Sequence, residues 1–170
     1  MALIKSISGI RGTIGGKPGD NLTPVDVVKF AAAFGTIIAE GKQNTSVVIG
    51  RDGRISGSMV QQLVSNTLTG LGIDVIDLGL STTPTVEMAV KMAGADGGII
   101  LTASHNPKER NALKLLNEEG EFISAETGAR VLELAANEDF SFASVDKLGI
   151  VTVDDSYGQK HIDAIVKYPL

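Results

Sequence analysis

Short, β-branched apolar runs recur along this chain between segments of helical spacing, and that alternation constrains the fold more than any other feature. SVVIG at 46–50, DVIDLG at 74–79 and GGIILTAS at 97–104 have the length and apolarity of strands covered on both faces, and ALKLLN at 112–117 offers a fourth. Between them, residues 23–40 place Val27, Val28, Ala31, Phe34, Ile37 and Ile38 on one helical face. Thr23 as N-cap, Pro24 at the first helical position and Asp26 in the first turn mark the start of that helix, and Gly41 marks its end. A second helix is expected from Ser58 to about Leu71, with Met59, Leu63, Asn66, Thr67 and Leu71 tracing its spacing and Gly72 closing it. Thr83 and Pro84, a cap residue followed by proline, open a third that runs to about Met92, and Met88 and Met92 are expected in the core. Residues 124–137 form a fourth, with Val131, Leu132 and Ala135 inward.

Alternation at intervals of about 25 residues predicts an α/β fold, a three-layer α/β/α sandwich around a mostly parallel, mixed sheet. One domain is expected over residues 1–150. The polar stretch 138–149 reads as a linker, and residues 151–170 as a strand and a helix, without an evident packing partner, leading into a second domain that this chain does not contain. His161, on that last helix, is read as a packing residue. In open α/β sheets ligands bind outside the carboxyl ends of the strands, so the loops after strands are the place to look for function.

The 170-residue chain carries 15 Lys and Arg against 20 Asp and Glu, a net charge of −5. The basic residues are scattered, which argues against a nucleic-acid partner. No window reaches the roughly 18 uncharged residues of a membrane helix, and MALIKSISGIRG lacks a signal-peptide core, so a cytoplasmic setting is expected. The absence of Cys excludes a disulfide scaffold and a thiolate metal site.

Three loops carry candidate chemistry. In TASHNP, 102–107, a buried strand delivers Ser104 to the sheet edge, followed by His105 and Asn106, and Pro107 stops the strand. A serine needs activation to act as a nucleophile. His105 could be its base, or Lys114 could, or Lys114 could hold a phosphate on Ser104. The same residues also suit a plain turn in which Asn106 bonds its own backbone. Gly9-Ile10-Arg11-Gly12 and the run GRDGRISG at 50–57 set Arg11 and Arg51 among glycines, where a guanidinium fork can meet phosphate oxygens while the backbone comes close. Either loop alone is more readily read as a surface turn, with a carboxylate such as Asp52 as the arginine's partner.

GIRG, GRDGRISG and TASHNP followed by NALK, in this order and spacing over nearly all of residues 4–168, resemble the N-terminal domain of the α-D-phosphohexomutases. That family comprises phosphoglucomutases, phosphomannomutases and phosphoglucosamine mutases. The resemblance implies that Ser104 carries a phosphoryl group and exchanges it with a hexose phosphate through a sugar bisphosphate, with a primer such as glucose 1,6-bisphosphate. It implies Mg²⁺ bridging the phosphate on Ser104 to aspartates of another domain. Arg11, Ser104, His105 and Lys114 would then be catalytic, with Lys114 as general acid or base, and Arg11, Arg51, Asn106 and Lys114 would hold substrate or phosphate. The remaining domains of a longer enzyme would be partners, and this chain alone is expected to be inactive. TASHNP leans towards the glucose and mannose enzymes rather than the glucosamine ones. Two positions depart from the family pattern: Ala112 replaces a glycine, which would resist a positive φ, and Gly53 replaces a frequent threonine. The rival reading from another class is a non-catalytic domain that binds sugar phosphates or other anions, and a serine hydrolase ranks third.

Overall fold

The computed structural model describes residues 3–6 and 9–168 of the chain. Among these, seven strands form one sheet in the order β1 (Ile4–Ser6), β2 (Gly9–Thr13), β6 (Arg110–Leu116), β5 (Gly97–Leu101), β3 (Ser46–Arg51), β4 (Asp74–Leu80) and β7 (Val151–Val153). One half is parallel, with β3 beside both β4 and β5 and β7 beside β4. The other half is antiparallel, through the pairs β1–β2, β2–β6 and β5–β6. The mixed sheet of an α/β/α sandwich is therefore present.

Side-chain alternation makes the layers. On β3, Val47 and Ile49 join the core beneath α1 (Pro24–Ala39), α2 (Gly57–Gly70) and α4 (Ala125–Asn137), while Val48 points to the opposite core with α3 (Thr83–Ala93) and α5 (Tyr157–Val166). β5 repeats the pattern, with Ile99 and Leu101 on one side and Ile100 on the other. The start of α1 is fixed by a capping box: the Thr23 N–H donates to Asp26 Oδ2 at 3.0 Å and the Thr23 hydroxyl faces the Asp26 N–H.

The helix starts and faces differ in detail from expectation. The buried stripe of α2 is Val60, Val64, Thr67 and Leu68, while Met59 and Asn66 face solvent. Of the other expected positions, Leu63 and Leu71 pack partly buried against the same core. The N-cap of α3 is Thr82, whose hydroxyl accepts from the Thr85 N–H at 3.3 Å, so Thr83 is already helical. Met92 is 46% exposed and lies outside the core.

The segment 151–168 is built into the same layers. β7 extends the sheet by pairing with β4, and α5 lies on α3, where Tyr157 is buried and His161 Nδ1 shares a 2.8 Å hydrogen bond with Thr85 Oγ1. The last helix thus has a packing partner, and His161 serves that contact. Among the described residues no helix is long and apolar enough to cross a membrane.

Candidate functional site

The antiparallel half of the sheet places the site. On β6, Leu113 and Leu115 enter the core under α1, so alternation turns Ala112 and Lys114 to the other face. On β2, Ile10 enters that same core and Arg11, directly opposite Ala112 in the ladder, turns outward with it. β2 comes close to β6 because residue 9 is glycine: at its φ of 122° a Cβ would lie 2.2 Å from the Leu113 carbonyl oxygen. Ser104 arrives beside these residues just beyond the end of β5, which pairs with β6 through Ile100 and Lys114.

These elements enclose a cleft of about 330 Å³ bordered by Arg11, Ser104, His105, Asn106, Lys114 and Phe122. Lys114 Nζ donates to Ser104 Oγ at 3.1 Å and lies 6.0 Å from the centre of the Phe122 ring. Arg11 Nε is buried and has no hydrogen-bond partner. An unpaired donor of this kind is costly, on the order of 1–3 kcal/mol. Ser104 is exposed and holds a φ of 53°, in the left-handed region that non-glycine residues seldom occupy. Its N–H donates to Thr102 Oγ1 at 2.9 Å, and its carbonyl accepts from Arg54 Nη2 at 2.7 Å. Two cations and an accessible hydroxyl in one cleft suit the binding and transfer of a phosphoryl group.

Residues 3–142 match the model of the family described as phosphoglucomutase/phosphomannomutase, alpha/beta/alpha domain I. The chain belongs to this family. The phosphoglucomutase/phosphomannomutase of Thermococcus kodakarensis is 40% identical over 157 residues, a match covering 91% of this chain and 34% of that protein. The phosphoglucosamine/phosphogalactosamine mutase of Sulfurisphaera tokodaii is 34% identical over 141 residues, covering 83% of this chain and 30% of that protein. Among solved structures, a phosphoglucomutase/phosphomannomutase family protein from Burkholderia thailandensis superposes with a TM-score of 0.77 at 26% identity, over 96% of this chain and 36% of that one. The chain spans about a third of the length of the curated relatives it matches.

Within this phosphohexomutase domain I, the structure brings together Arg11, Ser104, His105, Asn106 and Lys114 and sets Arg51 apart. Arg51 Nε donates to Gln61 Oε1 at 2.5 Å and its Nη1 to the Asp52 carbonyl at 3.2 Å, and Gln61 in turn donates to Asp77. Arg51 therefore ties β3 to α2 and β4. Asn106 also works within its own loop: its Nδ2 donates to the Ala103 carbonyl at 2.7 Å. His105 is exposed at the rim of the cleft. Ala112 sits inside β6 without a positive φ, and the Asn111 side chain accepts from its N–H at 2.8 Å, so the strand runs straight through the position expected to strain a turn.

Two residues behind the Ser104 loop, Arg54 and Thr102, were not singled out from the sequence, and the expected arginine partner Asp52 pairs with Arg54. Asp52 and Arg54 were visible in GRDGRISG, yet nothing in a linear motif says which of its arginines turns towards which loop. Among the described residues no carboxylate borders the cleft, and no group of three His, Cys, Asp or Glu side chains could hold a metal ion. Asp52 is already used by Arg54 and Thr102. The donor set of this domain fits an anion and does not by itself fit a magnesium ion.

Proposed function

We propose that this domain carries the phosphoryl group of a phosphohexomutase on Ser104 and exchanges it between the 1- and 6-positions of a glucose or mannose phosphate. The observation that carries this reading is the placement of Ser104 Oγ 3.1 Å from Lys114 Nζ in the cleft that Arg11 borders with a buried, unpartnered Nε. In the forward step the bond from phosphorus to Ser104 Oγ breaks as a sugar hydroxyl oxygen bonds to phosphorus. One proton moves overall from that hydroxyl to Ser104 Oγ, and Lys114 is the group positioned to deliver it. The sugar bisphosphate turns over and the reverse step returns its other phosphate to Ser104, so a bisphosphate such as glucose 1,6-bisphosphate primes the enzyme. Arg11 holds the phosphoryl oxygens through both steps. His105 and Asn106, on the same loop, contact the sugar phosphate from the rim. Arg51, tied to Gln61, takes no part in this reading.

Magnesium supplies charge neutralisation to phosphoryl transfer in general, but the side chains here do not form its cage, and no step is routed through it. On this reading its other ligands, and the groups that choose between hexoses, belong to domains that follow residues 151–170. A phosphoglucosamine mutase is the alternative substrate assignment, since relatives with both kinds of name match the chain. The deciding experiment is to incubate the full-length protein with glucose 1,6-bisphosphate and map the phosphate by peptide mass spectrometry. Phosphate on Ser104, lost together with mutase activity in Ser104→Ala, is the expected result. Phosphate binding that survives Ser104→Ala, with no phosphoserine in the parent protein, would instead make this an anion-binding domain.

A further inference from the structure

The guanidinium of Arg54 has all five of its N–H donors engaged, and four of them end on one loop. Nη1 donates to the carbonyls of Pro107 at 2.8 Å and Arg110 at 2.9 Å, and Nη2 to those of Ser104 and Asn106, both at 2.7 Å. Nε donates to Asp52 Oδ2 at 3.2 Å. The group is largely buried, its side chain 10% exposed. Asp52 Oδ2 also accepts from the Thr102 hydroxyl at 2.6 Å, and Thr102 Oγ1 accepts from the Ser104 N–H at 2.9 Å. The bonds therefore close a ring, Ser104–Arg54–Asp52–Thr102–Ser104, that seizes the amide and the carbonyl of the one non-glycine residue lining the cleft with a positive φ.

We infer that Arg54, with Asp52 and Thr102, is the positioning device that holds Ser104 Oγ towards Lys114 and Arg11. The inference rests on the reading of Ser104 as the phosphoryl carrier and adds residues that touch neither phosphate nor sugar. A left-handed serine costs on the order of 1–2 kcal/mol, and such a conformation persists only where its surroundings impose it. Here both of its peptide groups are held by side chains, so the strain is maintained by the ring. The chemistry of the holder is specific. Lysine offers one ammonium with three donors and cannot span four carbonyls and a carboxylate, so no other side chain substitutes for the planar fork. Releasing the ring lets Ser104 relax towards an ordinary φ, and its hydroxyl turns away from Lys114. A misplacement of about 1 Å in a transfer reaction costs on the order of 10²-fold in rate.

The test uses Thr102→Val, which keeps side-chain shape and removes the hydroxyl, its rescue Thr102→Ser, and Arg54→Lys. Two readouts are taken: steady-state mutase kinetics of the full-length protein, and hydrogen–deuterium exchange across residues 103–110. Thr102→Val and Arg54→Lys are expected to lower kcat on the order of 10²-fold with KM little changed and to speed exchange in that loop, while Thr102→Ser restores both. If Arg54→Lys fails to fold, the pair Thr102→Val and Thr102→Ser decides alone. Unchanged kcat and exchange in Thr102→Val, or a loss confined to KM, overturns the inference. If Ser104 proves not to be phosphorylated, the reading of the site fails, yet loop exchange in the same variants still tells whether the ring holds Ser104.

Discussion

Lys114 and Ser104, on neighbouring segments at one end of the sheet, meet through a 3.1 Å hydrogen bond from Nζ to Oγ. Lys114 owes its position to strand parity, and Ser104 to a loop that leaves β5 and is folded back by Arg54. If this ammonium serves as the proton carrier of the transfer, Lys114→Met keeps the strand and removes the proton. The full-length protein is then expected to lose about 10²–10⁴-fold in kcat, the usual worth of general acid–base catalysis, in steady-state assays.

Arg11 offers a second test that needs no turnover. Arg11 lines the cleft, where its guanidinium fork is placed to give an anion charge-assisted hydrogen bonds. Arg11→Gln is expected to weaken binding of inorganic phosphate to this chain roughly ten- to hundredfold, from about 1.5–3 kcal/mol for such a bond. Titration calorimetry or ³¹P NMR reads the change, and equal affinity in the two proteins would show that Arg11 does not face the anion.

Gly9→Ala tests the approach of β2 to β6. The new methyl would meet the Leu113 carbonyl oxygen at 2.2 Å and would have to adopt a φ of 122°. The expected loss exceeds about 1 kcal/mol in urea unfolding. Because Arg11 lies two residues on in the same strand, phosphate binding should fall in parallel.

Acid should loosen the start of α5 before it touches the core. Asp154 accepts from both the hydroxyl and the N–H of Ser156, and these bonds, helped by Lys160, hold its carboxyl below the usual aspartate range. A lowered folded-state value means that the contribution is present above the unfolded pKa of about 4 and is lost as pH falls through the folded one. Amide exchange at residues 156–160 should therefore rise at low pH, and Asp154→Asn should show that rise already at neutral pH.

Much of this could be read from the residues. Thr23, Pro24 and Asp26 announced α1, because capping is local chemistry written in adjacent positions. The central strands β3 and β5 announced themselves as well, because burial on both faces leaves nearly continuous apolar runs, and β4 did so through its β-branched Val75 and Ile76. The antiparallel edge was harder. GIRG looked like a glycine-rich loop, yet it is the body of β2: with one face against the core and the other open to a cleft, it needs only Ile10 to be apolar, and no period emerges from so few residues. The separate placements of Arg51 and Arg54 were illegible for a different reason. Both stand in GRDGRISG, and their directions depend on residues such as Gln61 and Ser104 that only the folded chain brings near.

The pairing of β2 with β6 also sets an order of events during synthesis. Arg11 leaves the ribosome about a hundred residues ahead of its ladder partner Ala112, and until β6 follows it has no neighbour to complete an anion site. The closing of this long sequence separation comes late and is entropically demanding. On the proposed reading, a phosphate or sugar phosphate that needs both strands would bind only the finished domain and would stabilise completed chains selectively.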